Sequence, residues 1–283
     1  MKIIESLEEL KQYSQQLKDQ GKTLASIDSY GDFHDGHAAL IEVAKARADN
    51  TIVTIDHMPE YQEYSAKKYA DFLDKYKATT FLTDQEFCQS RGVDAVSHIP
   101  DETWNRQETF DFVPPFLKEI INSSIRCHAN TIREWTHLMK EMQPTFDVAG
   151  KKDFHQLIVF KGIISALNLP IEVVGTPLVR DSDGLPFSSR NSQLTKAERG
   201  KALSMPETLK EISEWSSYPS VKEIKKYFIS AIKNAGGQTW YADVCDATTG
   251  EPVSVVDKEV VFAVATNFGN LVCLSDNILI SPK

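Results

Sequence analysis

A short apolar run at Thr23–Ile27, a turn rich in glycine and histidine, a helical pattern through Leu40, Ile41 and Ala44, and a β-branched run at Thr51–Ile55 follow one another without a break. Two strands joined through a helix lie parallel, because the crossover is too long for a hairpin, and the helix is laid across one face of the sheet. That single unit predicts an α/β fold built on a Rossmann-like, doubly wound parallel sheet.

The alternation continues on both sides. Leu7, Leu10, Tyr13 and Leu17 recur at helical spacing over residues 5–19. A helix is expected at Ala66–Lys77 and a strand at Ala78–Leu82, then helices at Phe116–Ile121 and Thr131–Met142, the latter ending before Pro144. Phe154–Leu167 carries Leu157, Phe160, Ile164 and Leu167 on one helical face, and Ile171–Gly175 reads as a strand. After Arg180 the character changes to a turn-rich loop, a helix at Leu194–Met205, and a helix at Val221–Ala235 closed by Gly236 and Gly237. Short β-rich runs at Thr239–Cys245, Val260–Ala265 and Leu271–Leu274 follow. The expected division is a Rossmann-like domain over residues 1–177 and a smaller α+β domain over residues 178–283.

A net charge of −9 argues against a general nucleic-acid or membrane-surface binder, since either needs a basic face. No apolar run approaches the ~20 residues that span a bilayer, and the charged start lacks the apolar core of a signal peptide. A cytoplasmic location is the expectation. Cys88, Cys127, Cys245 and Cys273 are scattered without a C-x-x-C pair and read as reduced structural thiols.

Three motifs carry candidate chemistry. Gly31-Asp-Phe-His34-Asp-Gly36-His37 lies between strand and helix, at the carboxyl end of the sheet where open α/β folds bind ligands. The following helix start offers N–H groups and a positive dipole end to phosphate, and Gly36 permits close backbone approach. His34 and His37 are then candidate donors to a triphosphate. A solvated turn pair is the plainer reading, and a zinc reading lacks further ligands at convincing spacing. In Gly150-Lys-Lys152-Asp153-Phe-His-Gln156, Lys152 offers an ammonium to phosphate and Gln156 an amide to a polar substrate. Asp153 equally suits a helix cap, and Lys152 a solvated lysine. In Asp183-Gly-Leu-Pro-Phe-Ser188-Ser189-Arg190-Asn191, two hydroxyls beside a guanidinium suit phosphate, against a plainer capping loop.

In order, GDFHDGH, AGKKDFHQ and RDSDGLPFSSRN resemble the G-x-L-H-x-G-H, F-G-x-K-D-x-Q-Q and R-x-x-D-G-L-x-x-S-S-R-N stretches of the pantothenate synthetase (pantoate–β-alanine ligase) family. WYADVCD and VVFAVATNFGNLVCLSDNI resemble its C-terminal domain, so the likeness spans almost the whole chain. The resemblance implies an HxGH nucleotidyltransferase-type fold and an ATP-dependent carboxylate–amine ligase. In that reaction an acyl-adenylate forms with release of pyrophosphate, and an amine then displaces AMP. It implies His34, His37, Lys152, Ser188, Ser189 and Arg190 on the triphosphate. Asp153, Gly31, Gly36, and the backbone at Gly150 and Val179 fall on the nucleotide, and Gln156 on the acid. Mg²⁺ would bridge the phosphates, the partners would be a small carboxylic acid and an amine, and the chain would form a homodimer.

The departures from the family pattern fall elsewhere. Its P-T-M becomes Asp28-Ser29-Tyr30, and its substrate-facing Asn and Gln align with Met58 and Tyr61, with Gln62 one residue on. Its D-x-x-x-Y-P-R stretch, with a metal-linked Asp, is absent, and R-P-G-H-F-x-G survives only as Arg126-Cys-His128-Ala-Asn. The metal ligands are therefore unassigned. Asp56 and His57 add an ionisable pair, either facing an amino-bearing substrate or solvated at a strand end. Tyr30, Met58, Tyr61 and Gln156 are thus the expected lining of a substrate pocket. Because unpaired polar groups reject analogues strongly, the expectation is a ligase whose acid, amine or both differ from the family's pair. Authentic pantothenate synthesis, nucleotidyl transfer to a small molecule, and a non-catalytic nucleotide-binding protein are the alternatives.

Overall fold

The computed structural model describes residues 1–29, 31, 33–55, 84–99, 110–123, 129–269 and 273–283. The expected helix at Ala66–Lys77 and strand at Ala78–Leu82 lie outside them. The chain forms two compact units, one from residues 1–112, 130–149 and 163–176, the other from residues 113–129, 150–162 and 177–283.

The first unit holds strands β1 (Lys2–Ile4), β2 (Leu24–Ser29), β3 (Asn50–Ile55), β4 (Ala95–Ser97), β5 (Phe146–Gly150) and β6 (Glu172–Thr176) in a six-stranded sheet of order β1-β4-β3-β2-β5-β6. The pairs β1–β4, β4–β3, β3–β2 and β2–β5 are parallel. Helix α1 (Leu7–Asp19) starts where Ser6 Oγ accepts from Glu9 N at 3.2 Å, and its buried Leu10 and Leu17 lie on the face the spacing predicted. Helix α2 (Asp35–Arg47) crosses between β2 and β3 and buries Ile41 and Ala44. These join Ala25, Ile27, Val53, Ile55, Val96, Val148 and Val174 in one apolar cluster. From β2 the chain steps to β3 and β4 on one side, and β5 and β6 lie on the other. The order therefore reverses between β2 and β5. This is the point at which doubly wound sheets take ligands, and it is where two of the three motifs leave the sheet.

Next to the reversal the sheet carries a buried polar stripe. Asp147 on β5 pairs in register with Ser26 on β2, and Asp28, two residues on, pairs with Thr54 on β3. Asp147, 1% exposed, accepts from Ser26 Oγ at 3.0 Å and from Trp135 Nε1 at 3.2 Å on helix α4 (Ala129–Met142). Asp28 accepts from Thr54 Oγ1 at 2.6 Å. Burial, then the charge of Asp28, pushes the Asp147 carboxyl up to about 7.

In the second unit β7 (Gln238–Asp246), β8 (Val260–Asn267) and β9 (Cys273–Ile280) form an antiparallel sheet. Helices α6 (Lys196–Ala202), α7 (Ser204–Ser213) and α8 (Val221–Asn234) contribute Ala202, Met205, Leu209, Ile224 and Phe228 to its core, with Val244, Phe262 and Val264. Helix α3 (Pro115–Ile121) also falls in this unit, opening with proline in its first turn where no N–H is needed. Helix α5 (Phe154–Ala166) agrees with its expected span.

The structure adds three strands to those expected and redraws one helix and one strand. β1 and β4 were not predicted, because three residues are too few to show alternation. β5 was also missed, since an acidic residue interrupts its apolar pattern. The helix expected at Leu194–Met205 divides at Leu203, and α7 continues to Ser213 with Pro206 in its first turn, where proline is tolerated. The last strand runs over Cys273–Ile280 rather than Leu271–Leu274, because the polar run Ser275-Asp276-Asn277 hides it.

Asp147 sets a pH dependence with a definite sign. The unfolded carboxyl releases its proton near the ordinary aspartate value of 3.8 and the folded one near 7, so its contribution to stability falls as pH rises across that window. Asp147→Asn can still accept from Trp135 and can donate to Ser26. Its melting temperature relative to the parent should therefore climb from pH 4 to pH 7 and level off above, as read by thermal unfolding at a series of pH values. A difference independent of pH would exclude this assignment.

Candidate active site

The glycine–histidine turn is built by α2's own N-terminus. His34 is the cap residue, and its Nδ1 accepts from Gly36 N at 3.1 Å, while His37 Nδ1 accepts from His34 N at 3.3 Å. The two histidines thus form a reciprocal capping box with imidazoles in place of the usual hydroxyl and carboxylate. Because Nδ1 accepts in both rings, the neutral form of each carries its proton on Nε2. His37 Nε2 lies 3.2 Å from Ser29 Oγ, which also accepts from Gly31 N at 3.2 Å. Phe33 packs edge-on to His37 and stacks on Phe87.

Gly31 has φ 81°, and a Cβ there would lie 2.7 Å from Asp84 Oδ2, so both conformation and space require glycine. Asp84, 5% exposed, accepts from Phe33 N at 3.2 Å and so holds the turn from beneath. Gly36, by contrast, is simply the second residue of α2. Ser29 and Asp84 were not singled out from sequence. Ser29 stood in view beside the motif, whereas Asp84 lies 51 positions from Phe33 with no local signal.

Within the second unit, strand β9 organises the other two motifs. Ser275 Oγ donates to Asp153 Oδ1 at 2.9 Å, and Asn277 Nδ2 donates to the carbonyls of Lys151 and Lys152 at 2.6 and 2.8 Å. Between them Asp276 points the other way, its side chain fully buried, and takes a two-pronged ion pair from Arg180 at 2.8 and 2.9 Å. Burial pushes the Asp276 carboxyl up, and the Arg180 guanidinium draws it back down. Arg180 also donates to Gly184 O at 3.1 Å, across a narrow hairpin in which Phe187 N meets Val179 O and Asp181 N meets Leu185 O. Arg199 spans Asp181 and Asp183. The loop then enters a short 3₁₀ turn, Ser189–Gln193, where Ser188 Oγ accepts from Arg190 N at 3.3 Å.

Turn and loop approach each other directly. Lys152 Nζ donates to Phe187 O at 3.4 Å, next to Ser188, and Arg190 Nη1 donates to Cys273 O at 3.3 Å on β9. Lys152, Asp153 and Arg190 are therefore anchored by one strand, and Ser188 and Ser189 adjoin Arg190 in the loop. A Cβ on Gly150 would meet no described protein atom closer than 4.0 Å. Gln156 is half-buried in the first turn of α5. The Cys273 thiol is pushed up by burial, which keeps it protonated and a poor nucleophile. The expected pocket residues Tyr30, Met58 and Tyr61, with Asp56, His57, Arg126 and His128, lie outside the described residues.

A family model described as pantoate-beta-alanine ligase matches residues 2–279. A pantothenate synthetase of Leptospira interrogans is 33% identical over 274 residues, covering 93% of each chain. One from Desulforapulum autotrophicum is 29% identical over the full length of both. Among solved structures, the Thermus thermophilus enzyme superposes with a TM-score of 0.80 at 24% identity, covering all of both chains. The Francisella tularensis pantoate-beta-alanine ligase, complexed with beta-gamma ATP and beta-alanine, gives 0.72 at 21%, covering 99% of this chain and 97% of that one. At these identities the structural likeness establishes the shared fold.

The Ser29–His37 contact makes the turn's weakest point testable. Ser29→Ala removes the acceptor that fixes Nε2 and should lower ATP-dependent turnover by about 5- to 30-fold, the scale of one or two kcal/mol. Ser29→Thr keeps the hydroxyl and should retain the parent's kinetics. Equal activity in all three proteins would remove the histidine anchor from consideration.

Proposed function

The chain belongs to the pantoate–β-alanine ligase family, and from that premise we propose that it joins pantoate to β-alanine at the expense of ATP. The family forms C–N bonds by activating a carboxylate as its adenylate. A carboxylate oxygen attacks the α-phosphorus and breaks the bond to the β-phosphate, releasing pyrophosphate. The amine nitrogen then attacks the acyl carbon, loses a proton, and displaces AMP.

The observation that supports this reading is the anchoring of Lys152, Asp153 and Arg190 by β9, with Ser188 and Ser189 beside Arg190 and Lys152 reaching Phe187 O next to Ser188. Two cations and two hydroxyls are what a departing pyrophosphate requires, because its charge grows as the anhydride bond breaks. Lys152 and Arg190 neutralise that charge, and Ser188 and Ser189 donate to it. By the family resemblance His34 and His37 are donors to the triphosphate from the start of α2, His34 through its Nε2–H and His37 by turning its Nε2–H from Ser29 to a phosphate oxygen, with the helix dipole behind them. Asp153 receives the ribose, the backbone at Gly150 and Val179 the nucleoside, and Gln156 the acid. Mg²⁺ bound together with the nucleotide would neutralise phosphate charge, with no ligand for it assigned on this chain.

A second reading has its own support. Asp28 stands at the carboxyl half of β2 where the family has proline, and the adjoining positions are Ser29 and Tyr30. Asp28 also raises the Asp147 carboxyl, a sign of negative charge concentrated in this part of the sheet. With Met58 and Tyr61 replacing an amide pair, these residues favour an acid other than pantoate, one bearing an amino group.

One experiment decides between them. With ATP, Mg²⁺, pantoate and β-alanine, the first reading expects AMP and the amide in equal amounts, and Lys152→Ala should lower kcat/KM by about 100-fold or more. Pyrophosphate–ATP exchange that ignores pantoate but responds to another acid would establish the second reading. No exchange with any acid, despite ATP binding, would defeat both.

A further inference from the structure

Every motif residue that serves the nucleotide in the second unit is placed by something, and for Lys152 and Asp153 the placing groups are not in the motif. They lie on β9, which runs past the Gly150–Asp153 turn with alternate side chains directed at it. Ser275 and Asn277 are two apart, so they share a face of the strand, and Asp276 between them faces away into the buried pair with Arg180.

Asn277 uses both hydrogens of its amide, one for each of two successive carbonyls, Lys151 O at 2.6 Å and Lys152 O at 2.8 Å. Successive peptide carbonyls facing the same donor fix the direction of the chain between them. The backbone of Lys152 is thus held at its carbonyl, and its ammonium at Phe187 O. Ser275 in turn holds one oxygen of the Asp153 carboxylate and leaves the other to a ligand's choice of geometry. Asn277 is itself fixed, because its own backbone N donates to Asp276 Oδ1 at 2.7 Å and Asp276 is clamped by Arg180. The chain of contacts therefore runs from the loop's arginine, through a buried carboxylate, to the turn's lysine.

We propose that Asn277, with Ser275 beside it, is a positioning residue for ATP, acting through Lys152 and Asp153 rather than by touching the nucleotide. This rests on the ATP reading given above and deepens it. Aspartate at 277 is the sharpest replacement: it has the same shape but sets an oxygen against two carbonyl oxygens, where asparagine sets donors.

The test measures binding of a non-hydrolysable ATP analogue with Mg²⁺ to the full-length protein, with thermal unfolding as the control for folding. Asn277→Ala should weaken the analogue about tenfold, and Asn277→Asp at least as much. Ser275→Ala should produce a smaller loss of the same kind. A purely structural role would lower the melting temperature and the fraction of binding-competent protein, while the remaining fraction kept the parent's Kd. The decisive measurement is the double variant. If Asn277 works through Lys152, then Asn277→Ala should change the Kd less than twofold in a Lys152→Ala background. An undiminished tenfold loss in that background would overturn the proposal, and so would a parent-like Kd in both Asn277 variants. A parent protein that does not bind the analogue sinks the ATP reading and this inference together; a parent that binds, with indifferent Asn277 variants, sinks this inference alone.

Discussion

The pairing of β2 with β5 is the constraint from which the first unit's architecture follows. On one side of it the chain winds through β3 and β4, and on the other lies β6. Connections that leave two neighbouring strands in opposite directions cannot cover the space above their carboxyl ends. The turn after β2 stands at that opening. Ser26 and Asp147, which pair across this boundary, are polar and buried and are joined by a side-chain hydrogen bond, beside an apolar cluster of valine, isoleucine and alanine. A buried carboxylate at this position costs stability when ionised.

In the second unit strand β9 has the corresponding role. Its odd-numbered residues Ser275 and Asn277 address the lysine–aspartate turn, and Asp276 addresses the loop through Arg180. A strand offers this economically, because alternation places neighbouring residues on opposite faces at a fixed spacing. The loop is stiffened from its other side by Arg199 and by the 3₁₀ turn, so the serines and Arg190 are presented by a backbone that is already ordered.

The candidate site residues are legible in the sequence because they are local. Gly31–His37, Gly150–Gln156 and Asp183–Asn191 are contiguous strings, and contiguous strings can be matched. The supporting residues were hidden for the opposite reason. Asp84 reaches Phe33 across 51 positions, and nothing near Asp84 in the sequence announces it. Strand β5 contains Asp147, which breaks its apolar pattern, yet Asp147 is buried because Trp135 and Ser26 satisfy it. The run Ser275-Asp276-Asn277 resembles a turn by composition and is a strand by pairing with Asp276↔Val264 and its neighbours. In each case the partner that explains the residue is far away in the chain.

Asn277 lies 125 residues after Lys152. On the ribosome, where the chain emerges from its amino end, the lysine turn is made long before the strand that orients it. The first unit's sheet and α5 can form while β9 is still unsynthesised, but the turn then has no amide to gather its carbonyls. A nascent chain that has not yet reached Asn277 in consequence lacks the hydrogen bonds that orient this turn, whatever the state of its sheet. Synthesis itself thus orders the assembly of this corner: the hydrogen bonds that aim the lysine turn await a residue made 125 positions later.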